Sequence, residues 1–431
     1  MKKTILLFMS LFSVSFCTYA QMDNLTNVSA NWIASPARNA ATNSADMVIY
    51  NPAATPDLTE GIHVNIGNQS LFRKPTHSYD LGAGSKTSGQ VGSDPVLPNL
   101  YAAYSKNNWA VFTGLFISGG GATLNYPDGS LITDLIGYQT VLATQGAYNE
   151  ARSQYLKASS YYVTGTVGAA YRINKIISAS LSVRYLSGMN STKAGMTLAA
   201  SPYDLADLPM VLDYEENASA FAAVAGISVN PTSKLGLTLR YESKAKLDFK
   251  TKLNKDDFGM VTDGSKNRRD LPSVLALGLS YEINPKLKVL SDVNYYFQQD
   301  ANWGTVTNAN GETISLSKTA GDAITYCLAL NYRINDKFTC SAGGGYTDYM
   351  YNDMAAYYTH TGVFETVQND NMNINLGGSY QVSKGINLIA GFMHTSWTKD
   401  TKVQALLISP DSEVTINNSM NAIAIGADIT F

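Results

Sequence analysis

From about residue 60 to its end the chain alternates apolar and polar residues with a period of two, in runs of ten or more residues. In one run Met372, Ile374, Leu376, Tyr380 and Val382 alternate with Asn371, Asn373, Asn375, Ser379 and Gln381. In another, Leu287, Val289, Val293, Tyr295 and Phe297 oppose Lys288, Asp292, Asn294 and Gln298. Successive side chains of a strand point to opposite faces, so each run is a strand with one apolar and one strongly polar side. Soluble sandwiches use the same alternation in strands of about five or six residues, and these runs are longer. They lie near 60–72, 97–106, 108–118, 157–172, 176–189, 218–230, 234–249, 272–283, 286–300, 321–333, 337–350, 370–382, 385–398 and 413–431, fourteen in all.

The connections alternate as well. Tight turns at Lys106-Asn107-Asn108, Asn174-Lys175, Asn230-Pro231-Thr232-Ser233, Asn284-Pro285, Asn335-Asp336 and Ser383-Lys384-Gly385 follow the even-numbered strands, and long polar loops follow the odd ones. An even strand count with short turns on one side and long loops on the other is the layout of a bacterial outer-membrane barrel. Closure removes the open edge, whose unpaired backbone groups would each cost several kcal/mol in lipid. The pattern therefore predicts an all-β fold: residues 60–431 as a transmembrane fourteen-stranded antiparallel β-barrel in the cell outer membrane of a Gram-negative bacterium, with turns and both termini periplasmic. In the last run Ile423, Ile425, Ala427, Ile429 and the terminal Phe431 share one face. A final aromatic resembles the signal by which such barrels are recognised, which implies the barrel-assembly machinery as a partner.

Composition agrees. Only 15% of the residues are charged, where soluble proteins average roughly 25%, as an outward apolar band requires. The net charge of -3 gives no reason to expect nucleic acid as a partner. No stretch offers the roughly 18 uninterrupted apolar residues of a spanning helix. Lys2 and Lys3, the apolar run from Ile5 to Phe16 and Thr18-Tyr19-Ala20 before Gln21 form a secretory signal peptide, residues 1–20. Phe16 stands where a lipoprotein would need a small residue before Cys17, which argues against lipidation. Of the two mature cysteines, Cys327 falls on a polar face and Cys340 on an apolar one, so they are expected to stay unpaired.

Residues 21–59 do not alternate. They are rich in alanine and carry Trp32, Ile33, Met47, Val48, Ile49 and Tyr50. Fourteen strands leave a lumen between the filled eight-stranded barrel and the open channel of about sixteen, so this segment is expected to plug it. The run Ala45-Asp46-Met47-Val48-Ile49-Tyr50-Asn51-Pro52-Ala53 ahead of the first strand resembles that of the FadL/TodX-type outer-membrane transporters of long-chain fatty acids and other hydrophobic compounds. Their hatch carries an Asn-Pro-Ala motif, matched by Asn51, Pro52 and Ala53. The resemblance covers the mature chain and implies a monomer that collects a hydrophobic small molecule at the outer loops and binds it in the upper lumen. Release is then sideways into the outer-membrane lipid, past the lipopolysaccharide surface, where the third strand kinks inward.

Glycine inside a strand marks a bulge or a close backbone approach, which makes Gly114, Gly119, Gly120 and Gly121 candidates for such a kink. The last three equally suit the start of an outer loop. Asn51 is expected to hydrogen-bond backbone freed by the kink. In the outer loops Leu131, Leu135, Tyr138 and Leu142 follow helical spacing, Leu198, Leu205, Leu208, Met210, Val211 and Leu212 gather further on, and Met354, Tyr357 and Tyr358 later still. Leu131, Leu135, Tyr138, Leu205, Leu208, Met210 and Leu212 are candidates for a collecting groove, or they pack together to cover the mouth. His63, His77, His360 and His394 join no catalytic pattern, and no cofactor or metal motif is present, so no enzyme is expected. The alternative is a passive polar porin, for which Arg172, Arg184, Arg240, Glu242, Arg333 and Asp428 would line the lumen.

Overall fold

A computed structural model describes residues 24–82, 84–120, 123–307, 312–354, 357, 369–398, 401–404 and 413–431. The signal peptide, Gly121, Tyr358 and His360 lie outside the described residues. Among the described residues the barrel strands are β1 (Gly61–Arg73), β2 (Ser93–Lys106), β3 (Trp109–Gly119), β4 (Glu150–Arg172), β5 (Ile177–Ala199), β6 (Leu208–Val229) and β7 (Leu235–Glu242). They continue with β8 (Ser273–Asn284), β9 (Leu287–Phe297), β10 (Asp322–Arg333), β11 (Phe338–Met350), β12 (Asn371–Ser383), β13 (Ile386–Trp397) and β14 (Ser419–Thr430). Each pairs antiparallel with its sequence neighbours, and β1 pairs with β14 from His63↔Thr430 to Arg73↔Met420, so the barrel is closed. At the seam the Phe431 N–H donates to the Ile62 carbonyl at 2.9 Å. Gly61, at φ +129, leaves room there that a Cβ would take, only 2.3 Å from the Phe431 carbonyl.

The alternation read from the sequence sorts inside from outside. Leu100, Val111, Leu115, Leu181, Leu277, Leu328, Leu376, Leu388 and Ile425 are exposed on the outer wall, and Trp109, Tyr171, Tyr281, Tyr332, Phe338, Tyr380 and Phe431 ring the turn end. An apolar wall with an aromatic girdle is what a barrel presents to lipid. Cys327 is buried and Cys340 half-buried on the other face, both free thiols.

Strands β4, β5 and β6 have 23, 23 and 22 residues. At ~3.3 Å per residue and a ~40° tilt they are more than twice as tall as the ~25 Å apolar band. Above the band the surroundings invert, with water outside and an apolar cap inside. In β5 the inward residues accordingly change from Ser178, Ser180, Ser182 and Arg184 to Leu186 and, above Asn190 and Thr192, to Ala194, Met196 and Leu198.

The seventh strand makes the same change differently. Below, the exposed residues are Leu237, Leu239 and Tyr241; above, the buried ones are Ala245, Leu247 and Phe249. Apolar residues hold the odd positions on both sides of Ser243, so sequence alone reads one continuous strand. In the structure the chain slips by one residue, β7 ends at Glu242, and a second strand Asp248–Asp256 resumes against β6.

Residues 25–57 pack against the inward faces. They form α1 (Ala30–Ala34), α2 (Met47–Tyr50) and a 3-10 turn, Pro52–Asp57. Inward glycines make room for them. A Cβ on Gly391 would lie 2.6 Å from the Ala34 nitrogen, one on Gly377 2.5 Å from Ala34 Cα, and one on Gly278 2.5 Å from the Asn39 carbonyl carbon.

Candidate functional site

The N-terminal segment is fixed by buried polar contacts. Ser29 Oγ caps α1 by accepting from the Trp32 N–H at 3.1 Å and donates to Asp46 at 2.7 Å. Asp46 also pairs with Arg38 at 2.5 Å, both side chains almost fully buried. Asp292 of β9 accepts from the Arg38 and Asn39 N–H groups at 2.6 and 2.9 Å, and the Asn375 amide donates to the Ile33 carbonyl at 2.9 Å. The Ile49 carbonyl, in the last turn of α2, accepts from the guanidinium groups of Arg240 and Arg184, which themselves pair with Glu242. A helix ends with orphan carbonyls, and a paired guanidinium is a strong donor for one. Tyr50 donates to the Thr26 carbonyl at 2.8 Å, and burial pushes its hydroxyl pKa well up, which keeps it a neutral donor.

Above this segment lies a cavity of ≈ 70 Å³, bounded below by Trp32, Ile49 and Tyr50 and at the side by Asn24, Leu25 and Thr26. Phe116, Ser118, Leu186, Ala222, Val274 and Tyr296 supply most of its wall, with Arg184, Arg240 and Glu242 at its polar end. It has room for a few water molecules. A long alkyl chain needs several times that space, so such an occupant would have to displace residues 24–26.

The same cavity meets the wall at two places where the ladder is broken. Strands β2 and β3 pair from Lys106↔Trp109 up to Leu100↔Leu115 and no further. Above that pair, β3 stays with β4 but takes one extra residue at Ser118, a bulge between Ile117↔Val163 and Gly119↔Tyr162. Its free edge is taken from inside, Asn24 bridging Gly119 and the Leu25 N–H donating to the Ser118 carbonyl at 2.9 Å. The break is bounded at the top by Asp94, which accepts from the Thr123 N–H at 3.2 Å and from the Tyr161 hydroxyl at 2.7 Å. On the outer wall below it lies a groove of ≈ 430 Å³ lined by Leu100, Leu115, Val167, Val183, Tyr185 and Phe221.

The second break is between β6 and the seventh strand. Their pairing runs to Glu242↔Val224 and resumes only at Lys250↔Asn217. Between them Ser243 alone reaches across: its N–H donates to the Ala223 carbonyl at 2.8 Å and its hydroxyl accepts from the Ala223 N–H at 2.8 Å. Ala222, Ser243 and Ala245 line the cavity at this point.

The residues singled out in the sequence fall as follows. Asn51 does not reach the bulge as expected; its amide donates to the Ala41 carbonyl at 3.1 Å, and it is residues 24 and 25 that meet the freed edge of β3. Pro52 and Ala53 begin the 3-10 turn and lie against Gly226 of β6. Gly114 is not at the bulge: it pairs regularly with Tyr101, whose ring would be 2.8 Å from a Cβ on it. Gly119 ends β3, and Gly120, at φ +107, passes so close to the Ser160 carbonyl that a Cβ would lie 2.4 Å from it.

The outer residues do not form one groove. Leu131 and Leu135 of α3 (Leu131–Ala143) are buried with Tyr79, Trp303, Leu316 and Tyr357. Met210 and Leu212 belong to β6 and are buried with Ile132, Ile136 and Leu198, with Leu208 packed at the edge, while Tyr138, Leu142 and Leu205 are exposed. His394 is held on the outer wall side of β13 by Asn421 and Ser396. Among the described residues no three His, Cys, Asp or Glu side chains gather as metal ligands. Sequence reasoning missed Ser118, Asp94, Tyr161 and Ser243. Alternation carries no trace of the two serines, and Asp94, just ahead of the run read as the second strand, was the one legible signal.

No protein-family model and no curated protein matches the sequence. Solved structures do. A Pseudomonas aeruginosa FadL homologue is 13% identical with a TM-score of 0.66, covering 95% of this chain and 100% of that one. The Pseudomonas putida toluene transporter TodX is 14% identical with a TM-score of 0.63, over 95% and 100%. The Ralstonia pickettii toluene transporter TbuX is 16% identical with a TM-score of 0.62, over 95% and 99%. The closed fourteen-stranded antiparallel barrel of this chain thus has the fold of the FadL and TodX outer-membrane proteins.

Proposed function

We propose that this protein is an outer-membrane transporter for the uptake of hydrophobic compounds, long-chain fatty acids among them, which it binds in the upper lumen and releases sideways into the membrane. The observation that carries the reading is the meeting of one lumenal cavity with a broken β2–β3 ladder whose free edge is held by the N-terminal segment. Residues 21–59 are the hatch, and the chain ends and tight turns face the periplasm. A ligand larger than the cavity pushes aside residues 24–26, and of these Asn24 and Leu25 occupy the edge of β3. Filling the site therefore frees the break. Lateral release suits an apolar molecule, which loses free energy on entering hydrocarbon and gains little from a watery channel. The toluene transporters among the structural neighbours are described by what they carry, and a small aromatic would also suit a cavity lined by Phe116, Trp32 and Tyr296.

The test is to purify the barrel from outer membranes, extract bound small molecules and identify them by mass spectrometry, beside a form lacking residues 21–50. Fatty acids or aromatic hydrocarbons held by the native chain and lost from the truncated one support the reading. A native barrel that comes out empty and conducts ions freely in planar bilayers is a polar porin instead.

A further inference from the structure

We propose that the break between β6 and the seventh strand is a second lateral passage of the same cavity, opening at the boundary between lipid and water and suited to an amphipathic molecule with an apolar tail. The inference rests on the hydrophobic-uptake reading and extends it to a site on the other side of the cavity. Residues 218–222 of β6 have no ladder partner on the seventh strand, and the Ser243 hydroxyl stands in for backbone at the lower lip. From inside, Ala222, Ser243 and Ala245 bring the cavity to the break, and Ala220, Leu247 and Phe249 pack beside them as an apolar cluster that closes it. From outside, the wall residues of β6 pass from Ile227 and Phe221 to Ser219 and Asn217, so the break sits where the surroundings change from hydrocarbon to water. Unpaired backbone is tolerated at that height because water or a polar head group can satisfy it, which is not so in the hydrocarbon.

One paired row joins the two breaks. Leu100↔Leu115, Leu115↔Gly165, Gly165↔Tyr185 and Tyr185↔Phe221 form one row around the wall, from the last pair of β2 and β3 to the edge of β6 at the second break. Strands β3 to β6 are thus a panel, continuously paired within itself, whose ladder to β2 stops at Leu100↔Leu115 and whose ladder to the seventh strand is interrupted between Glu242↔Val224 and Lys250↔Asn217. The outer groove runs across this panel from Leu100 to Phe221 and links the two openings on the lipid side.

The experiment staples each break separately in the full chain, in a background carrying Cys327→Ala and Cys340→Ala. Ala220→Cys with Leu247→Cys joins two residues packed in one cluster across the second break. Pro98→Cys with Ile117→Cys, neither of them lining the cavity, joins residues that would face each other if the β2–β3 ladder continued. Uptake of radiolabelled oleate by cells expressing each form is read oxidised and after dithiothreitol, so every sample is its own folding control. Two passages in parallel predict that either staple alone lowers uptake about twofold, that both together bring it to the vector background, and that reduction restores it. An oxidised Ala220–Leu247 staple that leaves uptake unchanged, with the double staple no worse than the β2–β3 staple, overturns the passage and spares the uptake reading. An unstapled chain that takes up no oleate above background removes both.

Discussion

Asp46 ties the N-terminal segment together, joining Ser29 and Arg38 through a carboxylate that is fully buried. Removing one partner of a buried ion pair leaves an uncompensated charge, at about 3–5 kcal/mol. Asp46→Asn is therefore expected to loosen residues 24–58 while the barrel stays folded. The measurement is limited proteolysis in detergent: cleavage near Arg38 should appear with no change in the heat-modifiable mobility of the barrel. Gly391→Leu should act from the opposite wall, because its Cβ would meet the backbone of Ala34, and the expected readout is a higher single-channel conductance in planar bilayers. Neither dependence was legible in the sequence. Alternation shows which face a residue takes but not that an inward glycine is a seat for another segment, and a lone Asp among alanines carries no sign of its partner.

Among the elements, the fourteen strands were legible because a wall with lipid outside and polar groups inside writes its period into every run, and the short turns were legible because Asn, Pro and Gly mark them. The upper halves of β4, β5 and β6 were only partly read. There the surroundings invert, so Leu186 and Met196 face inward where Ser180 and Arg184 did below, and a search for one apolar face ends the strand too early. Single-residue irregularities left no trace at all. Ser118 is the extra residue that parts β3 from a regular ladder, and its deletion is expected to let pairing with β2 continue above Leu100. Oleate uptake should then fall about twofold at equal outer-membrane abundance, as with the β2–β3 staple, and uptake unchanged by the deletion would count against the β2–β3 route.

For the whole molecule, closure is what allows a sheet to stand in lipid, and it depends on the first and last strands meeting in register from His63↔Thr430 to Arg73↔Met420. Deleting Phe431, which bonds Ile62 at the seam and was legible as a terminal aromatic, is expected to lower the fraction of chains that reach the folded, heat-modifiable form, read on unboiled gels of outer membranes. The slip in the seventh strand has a consequence for the bilayer itself. Its lipid-facing part runs only from Leu235 to the slip at Ser243, a rise of roughly 20 Å at a ~40° tilt, less than the ~25 Å expected of such a wall. A membrane meeting a wall that is too short thins beside it. The barrel would then be surrounded by a collar of uneven thickness, thinnest along the flank that carries the second break, so that a molecule crossing there would meet the shortest stretch of ordered chains anywhere around the protein.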